Sequence, residues 1–124
     1  MPEFPCPCCG YLVFDEPPGS YDICPICGWE DDLAQLRFPQ MGGGANRVSL
    51  LEGQRNVAAY GYSDSAHSRR GRQPSATDVR DPNWLPLDEA QDEVPEADHG
   101  PTDPADPTEL YYWRSTPPGS REAR

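Results

Sequence analysis

The chain has no lysine, no cysteine beyond residue 27, and no apolar run of the roughly 20 residues that a membrane-spanning helix needs. Hydrophobic residues are also scarce, at 35% of 124 positions, while proline and glycine together fill 27. A chain so poor in apolar side chains cannot bury a core along its whole length, and the part that folds needs a staple. Met1-Pro2-Glu3-Phe4 has neither the basic start nor the apolar run of a secretion signal, so the expected location is cytoplasmic. Thiols stay reduced there, and paired cysteines favour a metal over a disulfide. Ten arginines against 21 acids leave a net charge of -11, which disfavours binding to phosphate backbones and suits a basic partner.

What is present is concentrated at the N-terminus. Cys6-Pro7-Cys8-Cys9-Gly10-Tyr11 and Cys24-Pro25-Ile26-Cys27-Gly28-Trp29 both read C-P-x-C-G-aromatic, an internal repeat. A C-x-x-C turn wraps one edge of a metal tetrahedron, and two such turns complete it. The proline after the first cysteine pre-sets the turn, and the glycine after the second can take the left-handed conformation. Cys8 aligns with Ile26, so the ligand set is Cys6, Cys9, Cys24 and Cys27. Cys8 is left as the odd thiol, a candidate redox group. Four thiolates close the shell, which points to one structural zinc ion. Iron is the runner-up, because rubredoxin knuckles share the pattern.

The expected fold is a small metal-stabilised α+β unit, zinc-ribbon-like, in residues 1–62. Tyr11-Leu12-Val13-Phe14 and Tyr21-Asp22-Ile23 read as two strands of a hairpin, joined by turn chemistry at residues 15–20 and carrying a knuckle at each end. Residues 37–47, with Gly42-Gly43-Gly44, read as a connector. A helix is expected over about 49–60. Ser49 and Glu52 form a capping box, Gly61 is placed for a left-handed cap, and Leu50, Leu51, Val57, Ala58 and Tyr60 supply the apolar stripe. Gln54, Arg55 and Asn56 fall on the other side. Residues 63–87 read as a polar linker with an apolar island at Asn83–Leu87. Residues 88–124 read as an acidic, proline-rich, largely irregular tail with an aromatic segment at 110–114; within it, residues 88–109 carry nine acids and no base.

Several separate motifs occur in an order that resembles the bacterial cysteine-rich CPCC family. They are Pro5-Cys6-Pro7-Cys8-Cys9-Gly10-Tyr11, Phe14-Asp15, Pro17-Pro18-Gly19-Ser20-Tyr21, Ile23-Cys24-Pro25, Trp29-Glu30-Asp31-Asp32 and Gly43-Gly44-Ala45-Asn46-Arg47-Val48-Ser49-Leu50. The resemblance covers about residues 3–62. It implies a zinc-binding domain with a shared fold and brings no activity with it.

The remaining features speak mostly against catalysis. His67 and His99 stand alone in polar segments, and there is no triad, catalytic carboxylate pair or nucleotide fingerprint, so no enzyme is expected. The Gly42–Gly44 loop with Arg47 is a weak candidate for an anion site and reads better as a tight connector. Trp29, Glu30, Asp31 and Asp32, and the island Tyr111, Tyr112 and Trp113, are the candidate partner-binding residues. The leading expectation is a non-catalytic, zinc-stabilised protein-interaction module. Narrower or competing expectations are an immunity or antitoxin-like protein for a basic toxin, a nucleic-acid-binding zinc ribbon using Arg69, Arg70 and Arg72, and a thiol sensor using Cys8.

Overall fold

In a computed structural model, which describes residues 3–67, 71–88 and 105–114, the two cysteine repeats fold alike. In each, the glycine N–H closes back on the first cysteine's carbonyl, Gly10 on Cys6 at 2.7 Å and Gly28 on Cys24 at 3.0 Å. Both glycines have φ near +80°, at 84° and 82°, where a Cβ is disfavoured. The first cysteine's N–H then pairs with the carbonyl of the following aromatic, Cys6 with Tyr11 at 2.9 Å and Cys24 with Trp29 at 2.8 Å.

Each repeat is therefore the tip of its own hairpin, and this corrects the expected strand pairing. Strand β1, Phe4–Pro5, runs antiparallel to β2, Leu12–Phe14, around the first loop. Around the second, Ile23 forms a single bridge with Glu30. Tyr21–Ile23 does not pair with β2, because the Asp31 carboxylate takes the Ser20 N–H and hydroxyl, at 3.2 and 2.7 Å, and turns that segment toward residues 30–31. Backbone bonds Tyr21 N–H to Asp31 O and Asp31 N–H to Asp22 O continue the second hairpin.

Two helices follow. Helix α1, Leu33–Arg37, was not foreseen; it begins at Asp32, whose side chain caps Ala34 N–H at 2.9 Å. The expected helix is α2, Leu50–Tyr60, with Ser49 accepting from Glu52 N–H and Gly61 at φ 93° closing on Val57 O. Its buried face is Leu50, Leu51, Gly53 and Gln54, whereas Ala58 and Tyr60 are exposed and Val57 half-buried. Gln54 is buried because its amide is fully used: Nε2 donates to Pro7 O and Tyr112 Oη, each at 2.9 Å, and Oε1 accepts from Leu87 N–H at 2.8 Å.

The connector at 38–49 is pinned to α1. Gln35, fully buried, donates Nε2 to the carbonyls of Met41, Asn46 and Val48 and accepts from Asn46. Asp32 takes the Ala45 N–H at 2.8 Å. A protein carboxylate thus occupies the donor that the glycine loop would offer an anion.

The region read as a polar linker is built into the fold where it is described. Leu12 N–H donates to Val79 O, Asp81 N–H donates to Gly10 O, and Tyr11 bridges Arg80. The aromatic segment forms two 3-10 turns, Pro107–Leu110 and Tyr112–Arg114. Tyr111 stacks on Trp113 with centroids 4.7 Å apart, and Trp113 Nε1 donates to Asp81 at 3.0 Å. The tail segments 89–104 and 115–124 lie outside the described residues, as do Arg69, Arg70 and His99. His67 ends a 3-10 turn.

Candidate metal centre

The two loop tips face one another and bring Cys6, Cys9, Cys24 and Cys27 together, with their sulfur atoms within 4.8 Å of one another. Across the two loops, Cys6 lies 3.7 Å from Cys27 and Cys9 lies 3.8 Å from Cys24, sulfur to sulfur. A tetrahedral ion with metal–sulfur bonds of about 2.3 Å has sulfur–sulfur edges of about 3.8 Å. Both the spacing and the soft donor set fit such an ion. All four residues are at most 1% exposed.

The surroundings favour thiolate. Ile26 and Cys27 point backbone N–H groups at the Cys24 sulfur, each at 3.4 Å. Burial opposes charge on Cys24, yet hydrogen bonds from the Cys27, Cys6 and Cys9 thiols and the Cys27 N–H bring its pKa well below the ordinary thiol value. Burial pushes the Cys6 and Cys27 thiols well up. Without a cation, four buried sulfurs cannot all ionise; a bound cation supplies the missing counter-charge.

Cys8 is also fully buried and stands outside the four-sulfur set. Burial raises its pKa, against the neighbouring Cys27 thiol, which lowers it. Helix α2 lies directly on it: a Cβ on Gly53 would stand 3.0 Å from Cys8 Sγ and 3.3 Å from Trp29 Cζ3.

Residues 4–78 match the protein family described as Cysteine-rich CPCC. The chain belongs to this family. Its matched span runs past α2 to residue 78, next to Val79 and Arg80, which pair with Leu12 and Tyr11, so the family unit includes residues that the sequence assigns to a linker. A search of curated proteins gives no match.

The candidate partner residues are placed differently from expectation. Trp29, Tyr111 and Trp113 are at most 2% exposed and belong to the core around the cysteines. Asp31 and Asp32 are buried, bound to Ser20, Ala34 and Ala45. Only Glu30 and Tyr112 are part-exposed. The reason is the small apolar inventory: a core with so few large side chains takes its aromatics inward. Trp29 enters even though its Nε1 finds no hydrogen-bond partner among the described residues. Among the arginines of the nucleic-acid reading, Arg72 makes a bidentate pair with Asp78, at 2.7 and 2.9 Å. Arg47, the candidate anion ligand, pairs in the same way with buried Asp64, at 3.0 and 2.9 Å.

Sequence reasoning passed over Tyr21. It is the one non-glycine residue with positive φ among the described residues, at 62°, and it is 60% exposed. Ile23, two residues on, is 44% exposed. The alternation Tyr-Asp-Ile signalled a strand, and no sequence pattern signals that two apolar side chains of a strand-like run face solvent. No helix among the described residues is long and apolar enough to cross a membrane.

Proposed function

We propose that this chain is a non-catalytic, zinc-stabilised protein-interaction module in which Cys6, Cys9, Cys24 and Cys27 hold one zinc ion. The observation that carries this reading is the closed, buried set of four sulfurs at tetrahedral spacing. Four thiolates leave no coordination position for water or substrate, so the ion serves the scaffold. Function then belongs to the surfaces that the scaffold holds. The partner face is the edge of the second loop, where Tyr21 and Ile23 stand exposed beside Asp22 and Glu30. A bulky side chain held at positive φ is a costly conformation that a fold keeps where it has a use. Acidic neighbours and a net charge of -11 favour a basic partner.

Metal analysis of the purified chain tests the first half. One zinc per chain is expected, with loss of stoichiometric zinc in Cys24→Ser; native protein coloured by iron, or wild type holding well under one equivalent of metal, would overturn it. The second half is tested by native co-purification with wild type and Tyr21→Asp. The partner should be lost from the variant while zinc content is unchanged. A partner retained at the wild-type level removes the Tyr21 face from the proposal.

A further inference from the structure

Behind the first metal loop lies a cavity of about 500 Å³ between α2 and residues 80–87. That volume falls within the range of small-molecule sites. Its walls are mostly apolar, with Val57 and Ala58 beside Gln54 and Arg55 on α2, and Trp84, Leu85 and Pro86 on the facing segment. The walls are also fixed in place. Tyr112 Oη donates to Leu85 O, and Leu87 N–H donates to Gln54 Oε1 at 2.8 Å. Trp84 Nε1 donates to Pro7 O at 3.0 Å. A preformed apolar wall avoids the ordering cost of binding.

Two arginines, Arg55 and Arg80, reach the lining, and Arg80 is the one held by rings and a carbonyl. Arg80 donates Nε to Cys9 O at 3.1 Å, and its guanidinium stacks 4.6 Å from the Tyr11 ring and 5.3 Å from the Trp84 ring. These contacts hold the planar fork still and leave its two terminal nitrogens with no partner among the described residues. Arginine presents such a fork to a carboxylate through two parallel hydrogen bonds. In a chain of net charge -11, an arginine held by rings and a carbonyl, with no carboxylate of its own among the described residues, is complementary to an anion brought from outside.

We propose that this cavity binds a small amphiphilic carboxylic acid, its carboxylate on Arg80 and its apolar body between α2 and the Trp84–Pro86 segment. The site lies apart from the Tyr21 face and does not depend on a protein partner. It rests on the metal reading in one respect. Arg80, Trp84 and Gln54 all hang on carbonyls of the Cys6–Cys9 loop, so the ion that fixes the loop also fixes the cavity.

The test is a titration of the metal-loaded full chain with 4-phenylbutyrate and with its uncharged primary amide, followed by amide and indole shifts in ¹⁵N NMR, with metal content measured in every sample. The acid should give saturable shifts at Trp84 Nε1 and in residues 54–58, and should bind at least tenfold more tightly than the amide. Arg80→Gln should weaken the acid about tenfold and leave the amide unchanged. Ala58→Glu, on an exposed position that makes none of the Arg80 contacts, should also weaken the acid while metal content holds at the wild-type level. Equal affinity for acid and amide, shifts that do not saturate, or variants that bind the acid as wild type does would each overturn the proposal. Metal content is read separately, so failure of the cavity and failure of the metal site are told apart.

Discussion

At the scale of single residues, the most informative position is Gly53, in the middle of α2. Glycine there costs about 1 kcal/mol of helix propensity against alanine. The helix keeps it because a Cβ would press on Cys8 Sγ at 3.0 Å and on the Trp29 ring at 3.3 Å. Neither neighbour can retreat, since both are fully buried. Overpacking of this kind costs about 1–3 kcal/mol, which outweighs the propensity gain. Gly53→Ala should therefore destabilise the metal-loaded chain by about 1 kcal/mol net, measured by denaturant unfolding, and adding Cys8→Ala should recover much of that loss. A more stable Gly53→Ala would mean that α2 does not lie on the cysteines as described. Cys8 itself has a simpler prediction. Cys8→Ser should retain one metal per chain, because the four-sulfur set is complete without it; loss of metal from that variant would place Cys8 among the ligands.

At the scale of elements, turns and caps carry the connections, and two of them make predictions. The first concerns the polar peg at the centre of the connector. Asn46 is buried; its Oδ1 accepts from Glu30 N–H at 2.9 Å, and its Nδ2 donates to Glu30 O at 2.8 Å and to Gln35 Oε1 at 2.9 Å. Asn46→Ala strands the Glu30 N–H and takes one of two donors from the buried Gln35 oxygen and from the Glu30 carbonyl, which keep the N–H groups of residue 46 and Asp32. A stranded buried group costs about 1–3 kcal/mol, and a loss in that range is expected in thermal or denaturant unfolding. A loss under about 1 kcal/mol would show that water replaces the peg. The second concerns Asp31, which ties Ser20 to the second hairpin. Burial pushes its carboxyl above the ordinary aspartate value of 3.8, against the Ser20 hydrogen bonds that lower it. With the folded pKa raised, the native state holds the proton more tightly than the unfolded chain does. The contribution of Asp31 to stability is thus greatest at low pH and declines as pH rises from 3.8 through the folded value. Asn keeps an acceptor for Ser20 and carries no charge to bury. Asp31→Asn should therefore cost less at pH 7 than at the lowest pH at which the protein keeps its metal, compared by denaturant unfolding of metal-loaded protein; a larger cost at pH 7 would reverse the assigned sign.

At the scale of the molecule, legibility followed the range of the forces involved. The cysteine repeat and α2 were readable because their signals are local: a proline and a glycine at fixed offsets, a capping box, a left-handed cap. The hairpin partner was misassigned because the choice between β1 and Tyr21–Ile23 is made by the Asp31–Ser20 contact, eleven residues apart in sequence. Val57, Ala58 and Tyr60 looked like core because helical spacing cannot say how far along α2 the covering layer extends. The aromatic island was misread for the opposite reason. Tyr111 and Trp113 lie over 80 residues from the cysteines they cover, and local composition carries no trace of that contact. These long-range contacts converge on the four sulfurs, so the sulfurs govern the whole. The core cluster consists of five cysteines and eight other residues, too small an apolar volume to hold a chain of this length without a staple. If the ion is withdrawn by a strong chelator, four buried thiols must share few charges, and both loop tips lose their common anchor. The chelated chain should lose its near-UV aromatic signal, since Trp29, Tyr111 and Trp113 all pack on this centre, and one equivalent of zinc should restore it. Acid should produce the same loss, because protons compete with the ion for each thiolate, and the transition should move to lower pH as free zinc is raised. Near-UV and far-UV spectra that persist unchanged in chelator would show that the apolar contacts suffice, and would reduce the metal from staple to passenger.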